Sequence, residues 1–226
     1  MKKMILSLSL LVFGFANAQE VKDASAFGFS KGNVFIEGQL SFESSKETLS
    51  AAGNDVAELK ISSVNFSPKA GYFVTDDFAV GVQLELVSGK REETTIIPGA
   101  PTLVEETKVG GFGAGVFARY YFLKLGERFK TYTELGVGFG SAKVEDNSQE
   151  TAKINTFGAG LDLGINYFVT KNIAISFGLA DVLAFNSTKE ENKVTGAETK
   201  STGFNGNVNV INNFFDTPTF GLLYKF

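Results

Sequence analysis

Charged side chains at alternate positions along otherwise apolar segments are the residues of this chain that could do chemistry. Seven of them fall in phase with small residues that oppose an apolar face: Glu37, Lys69, Glu85, Arg119, Glu134, Asp162 and Lys225. Inside a narrow barrel, such a set could form a selectivity ring or proton path, or a polar plug of paired charges. Because Arg119 and Glu134 flank one turn at nearly matched heights, we predict that these two residues form an ion pair.

The composition excludes most enzymatic mechanisms. The 226 residues contain no histidine and no cysteine. A serine–histidine–aspartate triad, a thiol nucleophile and the usual zinc sites therefore have no residues to build them. Carboxylates remain, but no motif arranges them for catalysis. The sequence thus predicts a protein that is not an enzyme, with no catalytic residues and no metal or other cofactor.

The first 18 residues have the pattern of a secretory signal peptide. Lys2 and Lys3 form a basic region, residues 4–15 form an apolar stretch, and Ala16-Asn17-Ala18 fits a cleavage site. The alternative is a membrane anchor, but the apolar stretch is too short for a hydrocarbon core of about 30 Å. We therefore expect cleavage near Ala18 and a single mature domain over 19–226.

The mature chain alternates apolar and polar residues with a period of two, which is typical of β-strands. Predicted strands cover about 32–43, 60–74, 78–90, 108–122, 130–143, 153–169, 172–186 and a last strand that ends at Phe226. We expect an irregularity at Pro68, which cannot donate to a ladder. The alternation loses phase at Asp181, which indicates either a bulge or the membrane rim there. Residues 204–211 are interpreted as an upward extension of the last strand.

The predicted connections alternate in length. Short turns fall at 75–77, 123–129 and 170–171, and long polar loops fall at about 44–59, 91–107, 144–152 and 187–202. Aromatic residues gather at the strand ends beside the short turns, as they do at a membrane interface. This predicted interface girdle comprises Tyr72, Phe78, Tyr120, Phe122, Tyr167, Tyr224 and Phe226.

The orientation of the two strand faces separates two classes of barrel. A soluble ligand-binding barrel would place the apolar face inside, and the opposite, glycine-rich face would then be exposed to water. A membrane barrel turns the apolar face to lipid and must close, because lipid cannot satisfy an open sheet edge. Glycines at 113, 115, 136, 138, 158 and 160 would then make room in a narrow interior for large inward side chains. The pattern predicts an all-β, eight-stranded, antiparallel, up-and-down transmembrane β-barrel.

The signal peptide, the repeated Tyr-Phe strand ends and the terminal Tyr224-Lys225-Phe226 carry a family resemblance. The chain resembles the small eight-stranded outer-membrane barrels of the OmpA/OmpX type, and in particular the porin-family β-barrel domain of Bacteroidota. The resemblance implies a Gram-negative outer membrane, outer-membrane lipids as partners, and recognition of the terminal aromatic residue by the barrel-assembly machinery. It carries no signature of a specific activity.

Two functions remain open. One is a non-enzymatic barrel with a mostly plugged lumen, which serves envelope structure or surface interaction through its long external loops. The alternative is a narrow porin that passes small solutes. Eight strands leave little room inside, which favours the first function. The formal net charge of −4 and the lack of a basic stripe indicate no nucleic-acid partner. The sequence names no surface partner.

Overall fold

The computed structural model describes residues 27–51, 53–97, 101–206 and 219–226. The predicted signal peptide and its cleavage site lie outside the described residues, as does the 207–211 part of the predicted extension of the last strand. Within the described residues, no helix is long and apolar enough to cross a membrane.

Strands account for almost all of the described chain. They are β1 (Val34–Ala51), β2 (Asn54–Phe73), β3 (Phe78–Thr95), β4 (Leu103–Leu125), β5 (Phe129–Asp146), β6 (Gln149–Phe168), β7 (Ile173–Asn192), β8 (Glu198–Gly206) and β9 (Thr219–Lys225). Each strand from β1 to β7 pairs antiparallel with the next, and β8 and β9 both pair with β7. Because β8 and β9 pair with different parts of β7, they together take the place of the eighth strand. Since β9 also pairs with β1, the strands close into an up-and-down barrel of eight strands, as the sequence predicts.

The predicted long polar loops are wrong in one respect, because most of their residues belong to strands. The β1–β2 ladder continues to the pair Ala51 and Asn54, and the β5–β6 ladder continues to the pair Asp146 and Gln149. Polar side chains are compatible with an extended pair when both of its faces meet water, and opposite charges on neighbouring strands support the pairing. The barrel therefore ends in long β-hairpins rather than in irregular loops.

The β5–β6 hairpin shows why such a tip needs few residues. Asn147 and Ser148 connect β5 to β6, and both have a positive φ, at 49° and 72°. Two central residues with positive φ match the twist of a two-residue hairpin turn. Asn147 also ties the tip to β4, because its backbone N–H donates to the Glu106 carbonyl oxygen over 2.8 Å.

The two predicted strand irregularities are both confirmed. The β2–β3 ladder is interrupted at Ser67 and Pro68 and resumes at Lys69 without a change of register. On β7, the pairing with β6 shifts before the pair Asp162 and Asp181 and again after the next pair, Leu163 and Ala180. A further shift between Tyr121 and Leu123 in the β4–β5 ladder was not predicted, and it leaves Phe122 without a β5 partner.

Apolar side chains cover the outside of the barrel between its two ends. Val82, Val116 and Leu222 each leave 57–59% of their surface exposed. A continuous apolar belt of this kind is stable only against lipid, whereas the inward face of the same strands carries glycine and polar residues. The outward assignment made from the alternation is therefore confirmed.

The belt gives a first prediction about folding into lipid. Leu161 faces outward between Leu135 and Leu183 on the neighbouring strands. Leu161→Arg should destabilise the folded barrel by about 2–4 kcal/mol, because it places a cation near mid-bilayer. Gly160→Ala is the control, because a Cβ at Gly160 would make only ordinary contacts with its neighbours. Folding yields in lipid vesicles should differ sharply, and equal yields would contradict the outward assignment.

Candidate functional site: the barrel lumen

A buried arginine lies in the lumen near the short-turn end. Arg119 on β4 lies directly opposite Glu134 on β5, and its Nε donates to Glu134 Oε2 over 2.6 Å. The predicted ion pair is therefore present. Arg119 Nη1 also lies 2.7 Å from Oε2 of Glu37, which reaches across from β1. The side chains of Arg119 and Glu37 are fully buried, so both charges depend on these partners.

Lys69 completes a set of four charges. Its Nζ forms an ion pair with Oε1 of Glu134, and its side chain is almost fully buried. Lys69 lies beside Glu37 in the β1–β2 ladder, yet it pairs across the lumen with Glu134. Two cations and two carboxylates then balance, which offsets the cost of removing them from water. We call Glu37, Lys69, Arg119 and Glu134 the charge cluster.

Aromatic rings surround the arginine. The guanidinium carbon of Arg119 lies 4.0 Å from the ring centre of Tyr132, 5.2 Å from that of Phe35 and 5.6 Å from that of Phe117. A guanidinium is attracted to the faces of aromatic rings, most strongly where water is excluded. The rings therefore pack around the guanidinium inside the barrel and stabilise the cation.

A chain of hydrogen bonds extends the filled region toward the short-turn end. Arg119 Nη1 donates to the Tyr121 hydroxyl over 3.3 Å, and that hydroxyl donates to Asn166 Oδ1 over 2.6 Å. Asn166 Nδ2 in turn donates to Ser176 Oγ over 2.6 Å. The chain joins β4, β6 and β7 through the interior, and all four residues are buried.

The segment before β1 packs into the short-turn end of the barrel, a contact that the strand pattern does not predict. The Phe29 ring stacks on Phe73 at 4.2 Å and contacts Tyr121 at 4.8 Å and Phe168 at 5.2 Å. Lys225 Nζ donates to the Gly28 carbonyl oxygen over 2.6 Å. Phe29 lies outside the strand alternation, so no periodic signal marked it as an interior residue.

Three inward glycines make the large rings fit. A Cβ at Gly71 would overlap the Phe35 ring, one at Gly81 would overlap Phe117, and one at Gly164 would overlap Tyr132. The prediction that glycines make room for large side chains thus holds for a different set of glycines. Most of those named for this role instead line open space, at 113, 136, 138, 158 and 160, because the rings lie closer to the short turns.

That open space is a partly open cavity of about 780 Å³ in the hairpin half of the barrel. Polar side chains such as Gln39, Ser63 and Gln83 line its wall, and Lys69 and Glu134 contribute to its floor. The described side chains are densely packed near the short turns and line open space above the charge cluster. Among the described residues, small inward side chains line this half and leave it open.

The seven charges predicted from sequence divide among three places. Four form the charge cluster. Glu85 and Asp162 lie on the cavity wall, where Glu85 Oε1 accepts a hydrogen bond from Asn65 Nδ2 over 3.0 Å. Lys225 lies at the opposite end, beside Gly28. Among the described residues, no group of three or more histidine, cysteine, aspartate or glutamate side chains could hold a metal ion.

The predicted interface girdle occupies the short-turn end of the outer surface. Tyr72, Tyr120 and Phe122 leave 47–49% of their surface exposed. The remaining members are half-buried among neighbouring rings: Phe78, Tyr167, Tyr224 and Phe226. Tyr224 packs against Phe226 at 4.8 Å, and Tyr167 packs against Phe129 at 4.7 Å. Phe129 belongs to the same ring of aromatic residues and was not predicted.

Comparison with known proteins agrees with this architecture. A family model described as an outer membrane protein beta-barrel domain matches residues 6–211. A search of curated proteins finds no significant match. Similar solved structures include OprG of Pseudomonas aeruginosa, with 12% identity, 88% of this chain and 98% of that chain covered, and a TM-score of 0.47. Neisserial surface protein A has 17% identity, with 87% of this chain and 100% of that chain covered and a TM-score of 0.42. Escherichia coli outer membrane protein W has 14% identity, with 87% of this chain and 99% of that chain covered and a TM-score of 0.41.

The charge cluster predicts a specific pattern of destabilisation. Arg119→Met leaves Glu37 buried without its cation, whereas Glu134 keeps Lys69. Loss of one partner of a buried pair costs about 3–5 kcal/mol. Adding Glu37→Gln removes the unpaired charge, so the double variant should be more stable than Arg119→Met alone. Urea unfolding from lipid vesicles measures both values, and strictly additive effects would contradict the pairing.

The ring-to-glycine contacts give a second stability prediction. Gly164→Ala forces a methyl group into the Tyr132 ring and should cost about 1–3 kcal/mol by overpacking. Gly136→Ala is the matched control, because a Cβ there would meet only the flexible Gln83 amide at an ordinary distance. In the same urea unfolding assay, Gly164→Ala should have a clearly lower free energy of unfolding than Gly136→Ala. Equal values would show that the interior is not packed as described.

Proposed function

This chain belongs to the outer membrane protein beta-barrel domain family, and on that premise we propose that it is a sealed, non-enzymatic barrel that serves envelope structure or surface interaction. It is a protein of the Gram-negative outer membrane. The family comprises small barrels, some of which are porin-like and some of which are surface proteins. The choice between these two roles for this chain rests on its own lumen.

The observation that carries the proposal is the complete burial of Arg119 in the lumen. Its side chain has no exposed surface, and it contacts Glu37 from β1 and Glu134 from β5. Arg119 and Phe35 are among the largest fully buried side chains of the described residues, and they lie against each other. A hydrated solute could pass only if this paired cation and its rings moved together, and that movement would leave buried charges uncompensated.

The opposite end of the molecule supports a surface role. The hairpins extend the strands well past the apolar belt and carry mostly charged and hydroxyl side chains. Short turns of outer-membrane barrels face the periplasm, and long connections face outward, so these hairpins would project from the cell. Paired strands hold their shape better than irregular loops, which suits a surface presented to a partner. With neither histidine nor cysteine, the chain also lacks the groups of most hydrolytic sites.

Single-channel recording tests the proposal. The refolded protein in planar bilayers should show no stable open state, because the charge cluster and the rings fill the lumen. The triple variant Phe29→Ala, Phe35→Ala and Arg119→Ser removes the ring packed at the short-turn end and two of the large buried side chains above it, and it should conduct. That variant also shows that the assay can detect an opened lumen, provided that electrophoretic mobility confirms a folded barrel. Steady, solute-sized conductance by the unmodified protein would overturn the proposal in favour of the porin.

A further inference from the structure

Each of the strands β1 to β8 carries a lysine in the same outward pattern. The lysines are Lys46, Lys60, Lys90, Lys108, Lys143, Lys153, Lys189 and Lys200. Four residues toward the short-turn end, every strand has an outward apolar residue: Phe42, Val64, Leu86, Phe112, Phe139, Phe157, Phe185 and Phe204. The outward residue between the two is always small or polar. We call these two sets the lysine tier and the upper apolar tier.

The strand pairing places the lysine tier at one level around the described strands. Lys46 lies opposite Lys60, and the same holds for three further pairs, among them Lys90 with Lys108. Between these pairs the lysines are displaced by two residues, always in the same direction, so that Lys60 faces Glu92 rather than Lys90. A stagger that keeps one direction around the barrel is what a level ring requires when strands tilt in a closed barrel.

The height of this ring corresponds to the lipid headgroups. Lys108 precedes the girdle residue Tyr120 by twelve residues on β4. At about 3.3 Å per residue and a strand tilt of about 40°, the separation is roughly 30 Å along the membrane normal. The apolar band of such barrels is about 25 Å tall. The ammonium groups therefore lie a few ångströms beyond the hydrocarbon, and the lysine stems can reach in either direction.

The order of charges along each strand gives the ring a direction. On six strands a glutamate follows two residues beyond the lysine, away from the membrane: Glu58, Glu92, Glu106, Glu145, Glu191 and Glu198. Lys108 and Lys90 hydrogen-bond to Glu106 and lower the pKa of its carboxyl to about 2, so it is ionised at neutral pH. The cations thus face the membrane on every one of these strands, and the anions face water.

The lysines keep donors available despite these ion pairs. Lys46, Lys90 and Lys143 lie 2.6 Å from the nearest glutamate oxygen, yet 41–59% of each side chain remains exposed. An ammonium group has three N–H donors, and neither one carboxylate nor the two that contact Lys90 occupy all of them. Charges of both signs would suffice if these side chains served only solubility, and their order along the strand would not matter. The fixed order of lysine before glutamate therefore indicates a role for the lysines at the membrane.

From this arrangement we propose that the lysine tier binds the phosphate groups of anionic lipids in the outer leaflet of the membrane. Lysines at this height attract phosphate-bearing headgroups, and the upper apolar tier below them contacts the acyl chains of the same lipids. The ring would fix the vertical position of the barrel and gather a shell of anionic lipid around it. This interaction is independent of whether the lumen conducts.

Lipid selectivity in a reconstituted bilayer tests the proposal. The folded protein is placed in phosphatidylcholine vesicles, and spin-labelled phosphatidylglycerol is compared with spin-labelled phosphatidylcholine at the protein surface. The unmodified barrel should enrich phosphatidylglycerol. The variant Lys60→Gln, Lys90→Gln, Lys108→Gln and Lys143→Gln should lose about fivefold in selectivity at each contacted site. Electrophoretic mobility should confirm that each variant is folded.

Adjacent residues provide the matched control. Arg91 follows Lys90 on β3, has a similar exposure and faces the interior side of the hairpin. Lys90→Gln should lower the selectivity, whereas Arg91→Gln should leave it unchanged. Glu58→Gln with Glu92→Gln and Glu106→Gln should raise it, because the competing carboxylates are gone. Unchanged selectivity in the four-lysine variant, or an equal loss from Arg91→Gln, would overturn the proposal.

Discussion

The closed backbone ladder is the constraint on which the rest of this structure depends. A bilayer offers no hydrogen-bond partners, so every N–H and C=O group at membrane depth must be paired with a neighbouring strand. Pairing of β9 with both β7 and β1 meets that condition. Closure with only eight strands makes the interior narrow. From that narrowness follow the inward glycines, the few large rings and the need to balance the charges around Arg119.

The interior illustrates how far the sequence can predict contacts. Arg119 and Glu134 are close in sequence and flank one turn, so hairpin register alone brings them together. Glu37 and Lys69 reach the same cluster from β1 and β2, and their partners depend on how the sheet curls and closes. No periodic pattern contains that curvature. The contact of Phe29 with Phe73 was likewise not predictable, because Phe29 precedes the first strand.

The hairpins show the opposite case. The sequence there does contain the alternation of a strand, but the residues are so polar that the segments resemble loops. Reading polar segments as loops ended the predicted strands too early, although Lys46, Lys60 and Lys90 keep the alternation of the apolar belt. Successive outward positions of these strands hold an apolar residue, then a small or polar residue, then a lysine. This order runs forward along one strand and backward along the next. Such mirrored repetition is a signal for antiparallel neighbours at one height, and it could have located both the strand extensions and the ring of lysines.

We propose that the lumen is open from the hairpin end down to the charge cluster and closed below it. Because the chain has no cysteine, single introduced thiols can test this directly. Ser63→Cys places a thiol on the cavity wall, and Ser176→Cys places one in the buried region beside Asn166. A charged, membrane-impermeant maleimide applied to both sides of the folded barrel should label Ser63→Cys rapidly and leave Ser176→Cys unlabelled. Labelling of both thiols at similar rates would contradict the account.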